Sequence, residues 1–341
     1  MTSTETRIDI SHNEELLKLE EIFLPKFYNK KRQYYLSDTG LIKNDALFVH
    51  YTSVKAALSI IREKRIWMRN AMHMSDYLEV QHGFDIMARL VSNENDRWIK
   101  FRNVIEEAFP EIVERAIKIY NDNFHGINHG TYVLSVSEHD MKENKYGRLS
   151  MWRAFGGQSE RVAIVFKIPA LSAGSQALQI FFNPVSYTDK DEEYVEIEEV
   201  IENIKNNRSF LERVNPDIIA AQVFSMILVN VVCMKHEGFR EEREWRSVYF
   251  PKCFASEVSS RLIESNVEDV AGVPQVVYKI PLDSAFDSVL ADLDFFKLFD
   301  GLIIGPSKYP YAMYEAFCQE LEKIGVVDAA LKVRSSDIPI R

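Results

Sequence analysis

What this chain has little of narrows it first. Its three cysteines, Cys233, Cys253 and Cys318, stand far apart with no paired spacing, which excludes a disulfide framework and offers no cysteine metal site. Such usage predicts a reducing cytoplasm. Gly301 and Gly305 flank an apolar run without completing a GxGxxG or Walker loop, so a Rossmann or nucleotide triphosphatase cradle is not expected. There is no HExxH and no GxSxG, which leaves zincin and serine hydrolase chemistry without support. Long apolar runs are scarce. The longest, Ile218 to Met234, contains Gln222, Ser225 and Asn230, is short for a bilayer span and predicts a buried helix, so no membrane partner is expected. Met1 to Asp9 is polar and of mixed charge, so export is not expected. Positive charge is in deficit too: 41 basic against 51 acidic residues, a net charge of -10, argue against extended nucleic-acid binding.

What is present suffices for a large core. The chain has 341 residues, of which 46% are hydrophobic and 12% aromatic, enough for one large domain or two modest ones. Asn13 caps a first predicted helix with Leu16, Leu19, Ile22 and Phe23 at helical spacing, limited by Pro25. Ala46 to Tyr51 reads as a strand, Ser53 starts a helix, and Arg65 to Arg69 alternates as a strand. Further strands are predicted at Thr131 to Ser137, Arg161 to Ile168, Gln179 to Phe182, Glu244 to Phe250, Gln275 to Ile280, Leu302 to Ile304 and Leu331 to Val333. No repeat or low-complexity linker divides them. The prediction is an α+β fold, a mixed and mainly antiparallel sheet core with helical insertions. An N-terminal helical extension covers residues 1–45. One α+β domain covers 46–341, with a helical insertion at about 76–125 and a helical segment at about 189–236.

The chemistry-bearing residues cluster at strand ends. An apolar run ends in His50, Tyr51 and Thr52, and polar groups at such a place can face a cleft. A histidine there is ordinarily a hydrogen-bonded structural residue. Trp152, at helical spacing from Leu149 and Phe155, has an ordinary reading as core. Alternating charge from Arg240 to Arg246 is most simply a salt-bridged strand edge. His125 and His129 have the spacing of one helix face, yet Gly126 and Gly130 predict a loop.

The run Val49 to Ser53, then Ser75, Asp76 and Glu79, Ser135 to Ser137, Met151 and Trp152, Glu242 to Arg246 and the tail Ser335 to Arg341 resembles the bacterial domain-of-unknown-function family 2971. Ser75 stands where that family tends to place Asn, and Phe155 where it often has Tyr. More distantly, a strand-borne His with Tyr and Thr, a serine strand and a late Glu resemble ADP-ribosyltransferase-like enzymes. That second resemblance implies NAD as substrate and a bacterial toxin or defence effector. It implies catalytic roles for His50, Glu242 and Glu244, and nucleotide contacts from Tyr51, Thr52, Arg69, Asp76, Ser135, Ser137, Trp152, Arg153 and Arg246. Its chemistry needs a fixed carboxylate to stabilise the oxocarbenium-like centre left by nicotinamide, and guanidinium groups suit the pyrophosphate. With Glu242 and Glu244 on one strand face, either can serve. The acceptor stays open between protein, nucleic acid and water.

Two rivals remain at this stage. Asp76, Glu79, Glu242 and Glu244 would suit Mg²⁺ in a metal-dependent nuclease, although the acidic net charge counts against it. Alternatively, the cleft belongs to a noncatalytic nucleotide-sensing or interaction module.

Overall fold

The computed structural model describes residues 10–36, 46–74, 77–92, 95–154, 160–170, 172–188, 195–270 and 272–339. The chain divides into two compact units. One comprises Met1–Gln33, Leu78–Phe124 and Ser186–Glu237; the other comprises Tyr34–Tyr77, His125–Val185 and Gly238–Arg341.

Twelve strands are assigned among the described residues: β1 (Leu47–Ser53), β2 (Arg65–Asn70), β3 (Tyr132–His139), β4 (Arg161–Lys167), β5 (Phe181–Pro184), β6 (Ser186–Thr188), β7 (Met234–His236), β8 (Glu244–Tyr249), β9 (Glu264–Val270), β10 (Val273–Pro281), β11 (Phe299–Ile304) and β12 (Val333–Ser335).

The first unit is helical apart from the parallel pair β6 and β7. Its helix Pro216–Val232 opens with Asn215 as cap and Pro216 in the first turn, where a missing N–H costs nothing. The buried Asn230 donates Nδ2 to the Met226 carbonyl at 2.8 Å. Gly83 lies so close to the Val231 carbonyl that a Cβ there would sit 2.1 Å from its oxygen. Trp98 and Phe101 stack at 5.0 Å and fill the core beside the helix Val195–Asn206. No helix among the described residues is long and apolar enough to cross a membrane.

The second unit is a ten-stranded sheet in the order β12-β11-β4-β1-β3-β2-β10-β9, with β8 paired to β3 and β5 paired to β8. Every pairing is antiparallel except β11 with β12. The fold is therefore α+β with a mainly antiparallel sheet. Alternation along the strands sorts side chains to two faces. Phe48, Ile164, Leu302, Val136, Trp245 and Ile280 belong to the large core on one face, while Val49, Tyr51, Ala163, Val165 and Ile303 join Met151 and Trp152 on the other. The helix Val54–Glu63 starts where the sequence predicts, since Ser53 accepts the Ala56 N–H at 3.2 Å. The last strand begins at Val333, two residues later than expected, because Leu331 ends up in the short helix Ala329–Lys332.

Candidate functional site

Strand β3 has two edges, and their occupants differ. On one edge β8 runs alongside Tyr132 to Ser137. The opposite edge is divided: β1 pairs with Ser137 to His139, and β2 pairs with Tyr132 and Val133. Between them β1 and β2 diverge from β3 and open a split in the sheet. The Glu138 N–H turns toward Arg243 at the β8 end, so by alternation Ser135 directs its backbone groups into the split.

His50 stands at that split. Its Nδ1 lies 3.0 Å from the Ser135 carbonyl, an acceptor, so the ring carries its proton on Nδ1 and leaves the Nε2 lone pair free in the neutral form. Burial pulls the imidazole below its usual range, and the Ser135 carbonyl acts in the opposite sense. The Ser135 hydroxyl donates to Glu244 Oε1 at 2.5 Å. Glu244 in turn accepts from Arg246 Nε at 2.8 Å and from its Nη2 at 3.3 Å. Ser135 thus joins the His50 imidazole through its carbonyl to the Glu244 carboxylate through its hydroxyl. The ion pair is deeply buried, with Glu244 and Arg246 side chains 6% and 5% exposed. Ser137 pairs with Val49 on one side and with Glu244 on the other.

Three consecutive residues of a strand cannot share a face, and this corrects the expectation at the end of β1. Val49 and Tyr51 belong with Trp152, whereas His50 and Thr52 follow Phe48 to the other side. Tyr51 meets Trp152 edge to face at 4.7 Å. The Tyr51 hydroxyl accepts the Arg148 N–H at 2.8 Å, and the Trp152 Nε1–H donates to the Tyr146 carbonyl at 2.8 Å. Burial pushes the Tyr51 phenol up to about 12 despite that hydrogen bond. Gly147 and Gly305 press on the same indole. Both rings are core residues, so a nicotinamide sandwich would have to come from other aromatics.

Glu242 and Glu244 do not share a strand face. Glu242 ends the helical turn Glu237–Glu242, and Arg243 adopts φ 45 before β8 begins at Glu244. A left-handed residue reverses the alternation that would have aligned the two carboxylates. Arg69, at the β2 end, donates Nη2 to the His73 carbonyl at 3.1 Å and to Gln275 Oε1 at 3.2 Å. Arg153 is exposed on the short helix Leu149–Ala154. Asp76 lies outside the described residues. Among those described, no three His, Cys, Asp or Glu side chains group as a metal site.

Arg148 is the residue that sequence reasoning missed. Its guanidinium donates to the carbonyls of Glu138, Glu241 and Glu242 at 2.9, 3.3 and 3.0 Å and to the Glu143 carboxylate at 3.2 Å. It therefore fixes the turn that delivers Glu244 to β8. A lone Arg in a charged loop carries no periodic signal; only the preceding Gly147, at φ 65, marks the turn.

No curated protein and no solved structure matches the chain. Residues 151–247, which hold Met151, Trp152 and the Glu242 to Arg246 run, match the family model described as a protein of unknown function, DUF2971, and carry the domain-of-unknown-function resemblance read from the sequence.

Proposed function

We propose that the chain is an NAD-dependent enzyme of the ADP-ribosyltransferase-like kind, with its site at the split between β1 and β2. The observation that carries this reading is the link His50, Ser135, Glu244: an imidazole with a defined free nitrogen and a carboxylate of fixed direction, tied to one strand residue. His50 Nε2 would accept a hydrogen bond from a ribose hydroxyl. Glu244, oriented by Ser135 and Arg246 on the sheet face opposite to His50, would reach the ribose C1′ through the split and offset the positive charge that develops there. In that step the bond from C1′ to nicotinamide breaks, nicotinamide leaves as a neutral base with the electron pair, and an acceptor oxygen bonds to C1′ and gives up its proton. With water as acceptor the products are ADP-ribose, nicotinamide and a proton.

The enclosure of the Glu244–Arg246 pair favours a second reading, a nucleotide-sensing module without turnover, because a carboxylate already committed to a guanidinium is less available to a reacting centre. One experiment separates the two. The purified protein is incubated with NAD and with mixed protein or nucleic-acid acceptors; binding is measured by calorimetry, and released nicotinamide and adduct mass by chromatography and mass spectrometry. Turnover that falls at least tenfold in His50→Ala, in a variant that remains folded by circular dichroism, supports the enzyme. Binding without release supports the module. Absence of both binding and release removes NAD from consideration.

A further inference from the structure

Gly126 and Gly130 predict a loop around His125 and His129, yet the helix Ile112–Gly130 runs through both. Four residues apart on a helix, they project from one face, and their ring centroids lie 4.8 Å apart. Both side chains are exposed. His129 lies in the last turn of the helix, where outward carbonyls make a cation welcome, and His125 lies one turn before it.

A third donor comes from elsewhere in the chain. Met72, in the turn Ala71–His73 after β2, places its Sδ 3.0 Å from His129 Nδ1. Two atoms that bind one ion at about 2.0–2.3 Å lie roughly 3–3.5 Å apart, so this separation suits a shared ion with little movement. The backbones that carry these two side chains are also braced together. Asn70, 7% exposed, accepts the Met72 N–H at 2.9 Å through its side-chain oxygen and donates Nδ2 to the His129 carbonyl at 2.9 Å. One buried amide therefore ties the Met72 and His129 backbones together.

We infer that His125, His129 and Met72 form a binding site for monovalent copper. The donor set decides the metal. Two imidazoles would serve zinc, nickel or copper, but a thioether selects for the soft monovalent ion. Among the described residues no third His, Cys, Asp or Glu groups with this pair, so the thioether is the third donor they offer.

The full chain, stripped of metal, is titrated anaerobically with Cu(I) under ascorbate against a coloured Cu(I) chelator, and separately with Zn(II) against a zinc indicator. One equivalent of Cu(I) is expected to bind. His125→Ala and His129→Ala should each weaken Cu(I) binding at least tenfold. Met72→Leu should weaken Cu(I) binding at least tenfold while leaving any Zn(II) affinity within twofold of wild type. All three substitutions alter exposed or half-exposed side chains, and circular dichroism verifies that each variant remains folded. Failure of wild type to take one equivalent from the chelator overturns the site. Cu(I) binding by Met72→Leu at wild-type affinity overturns the assignment of the thioether.

Discussion

Arg246 and Lys279 are both buried in the sheet, and they are neutralised in opposite ways. Arg246 faces Glu244, two residues back on β8, and both side chains are shut away from water. Lys279 on β10 reaches Glu63 at 2.7 Å and Glu268 at 2.8 Å, and those acids are 41% and 24% exposed. Its ammonium also lies 5.1 Å from the Trp67 ring. In the first region neither ion keeps its water, so the pair is held by direction and by the Ser135 hydroxyl. In the second, a buried cation uses acids that remain solvated at the rim. Desolvation makes the first region costly to perturb and the second forgiving.

The sharpest way to break this contrast is Glu244→Gln. It removes the Glu244 carboxylate from the buried Arg246 guanidinium, and the expected loss of unfolding free energy is about 3–5 kcal/mol in urea titration. A loss below about 1 kcal/mol would place Arg246 in the same class as Lys279. The double variant Glu244→Leu, Arg246→Met should recover most of the stability, since apolar groups need no compensation.

Proton access at the split gives the next effect. The folded pKa of His50 lies below its usual 6.5, with burial as the main cause. The unfolded chain therefore takes up the proton first, so the stabilisation is present above pH 6.5 and is lost as the pH falls toward the folded value. Its slope approaches about 1.4 kcal/mol per pH unit. His139, also depressed by burial, contributes in the same sense, so the check is the difference between wild type and His50→Asn across pH 7 to 5. Identical pH profiles would mean that His50 is open to water.

The smallest effect is expected from Glu63→Gln, at most about 1 kcal/mol, because Lys279 keeps Glu268 and the removed charge is partly solvated. Burial alone would raise the Glu63 carboxyl, but hydrogen bonds from Lys279 and Ser59 hold it below its usual 4.5. Its contribution is accordingly present above pH 4.5 and fades as the pH falls through the folded value. Thermal unfolding at pH 7 and pH 3 reads this directly; a larger effect than that of Glu244→Gln would invert the comparison.

Strands rich in β-branched and aromatic residues were legible in the sequence. Arg161 to Ile168 contains β4 and Glu244 to Phe250 contains β8, although both strands are buried on their two faces. Strand β9 escaped notice because Glu264, Ser265, Asn266, Glu268 and Asp269 give it no apolar stripe; it forms by pairing with β10 at the sheet edge. The helix through His125 was hidden by Gly126, whose missing Cβ leaves room for the Cys253 sulfur, 2.3 Å from where that atom would lie. At the candidate site, Ser135, Glu244 and Arg246 were named from the sequence and meet in space. The alignment of Glu242 with Glu244 expected from the sequence does not form, since the left-handed turn at Arg243 belongs to no side-chain pattern.

The sequence by itself determined the α+β class, most strand positions and the residue types that make up the candidate site, because burial periodicity and side-chain chemistry are local properties. Only the tertiary structure decided that β1 and β2 part along β3, that Ser135 links His50 to Glu244, and that Met72 stands beside His129. Those outcomes depend on pairing register and on packing between segments distant in sequence. Neither is fixed until the sheet has formed.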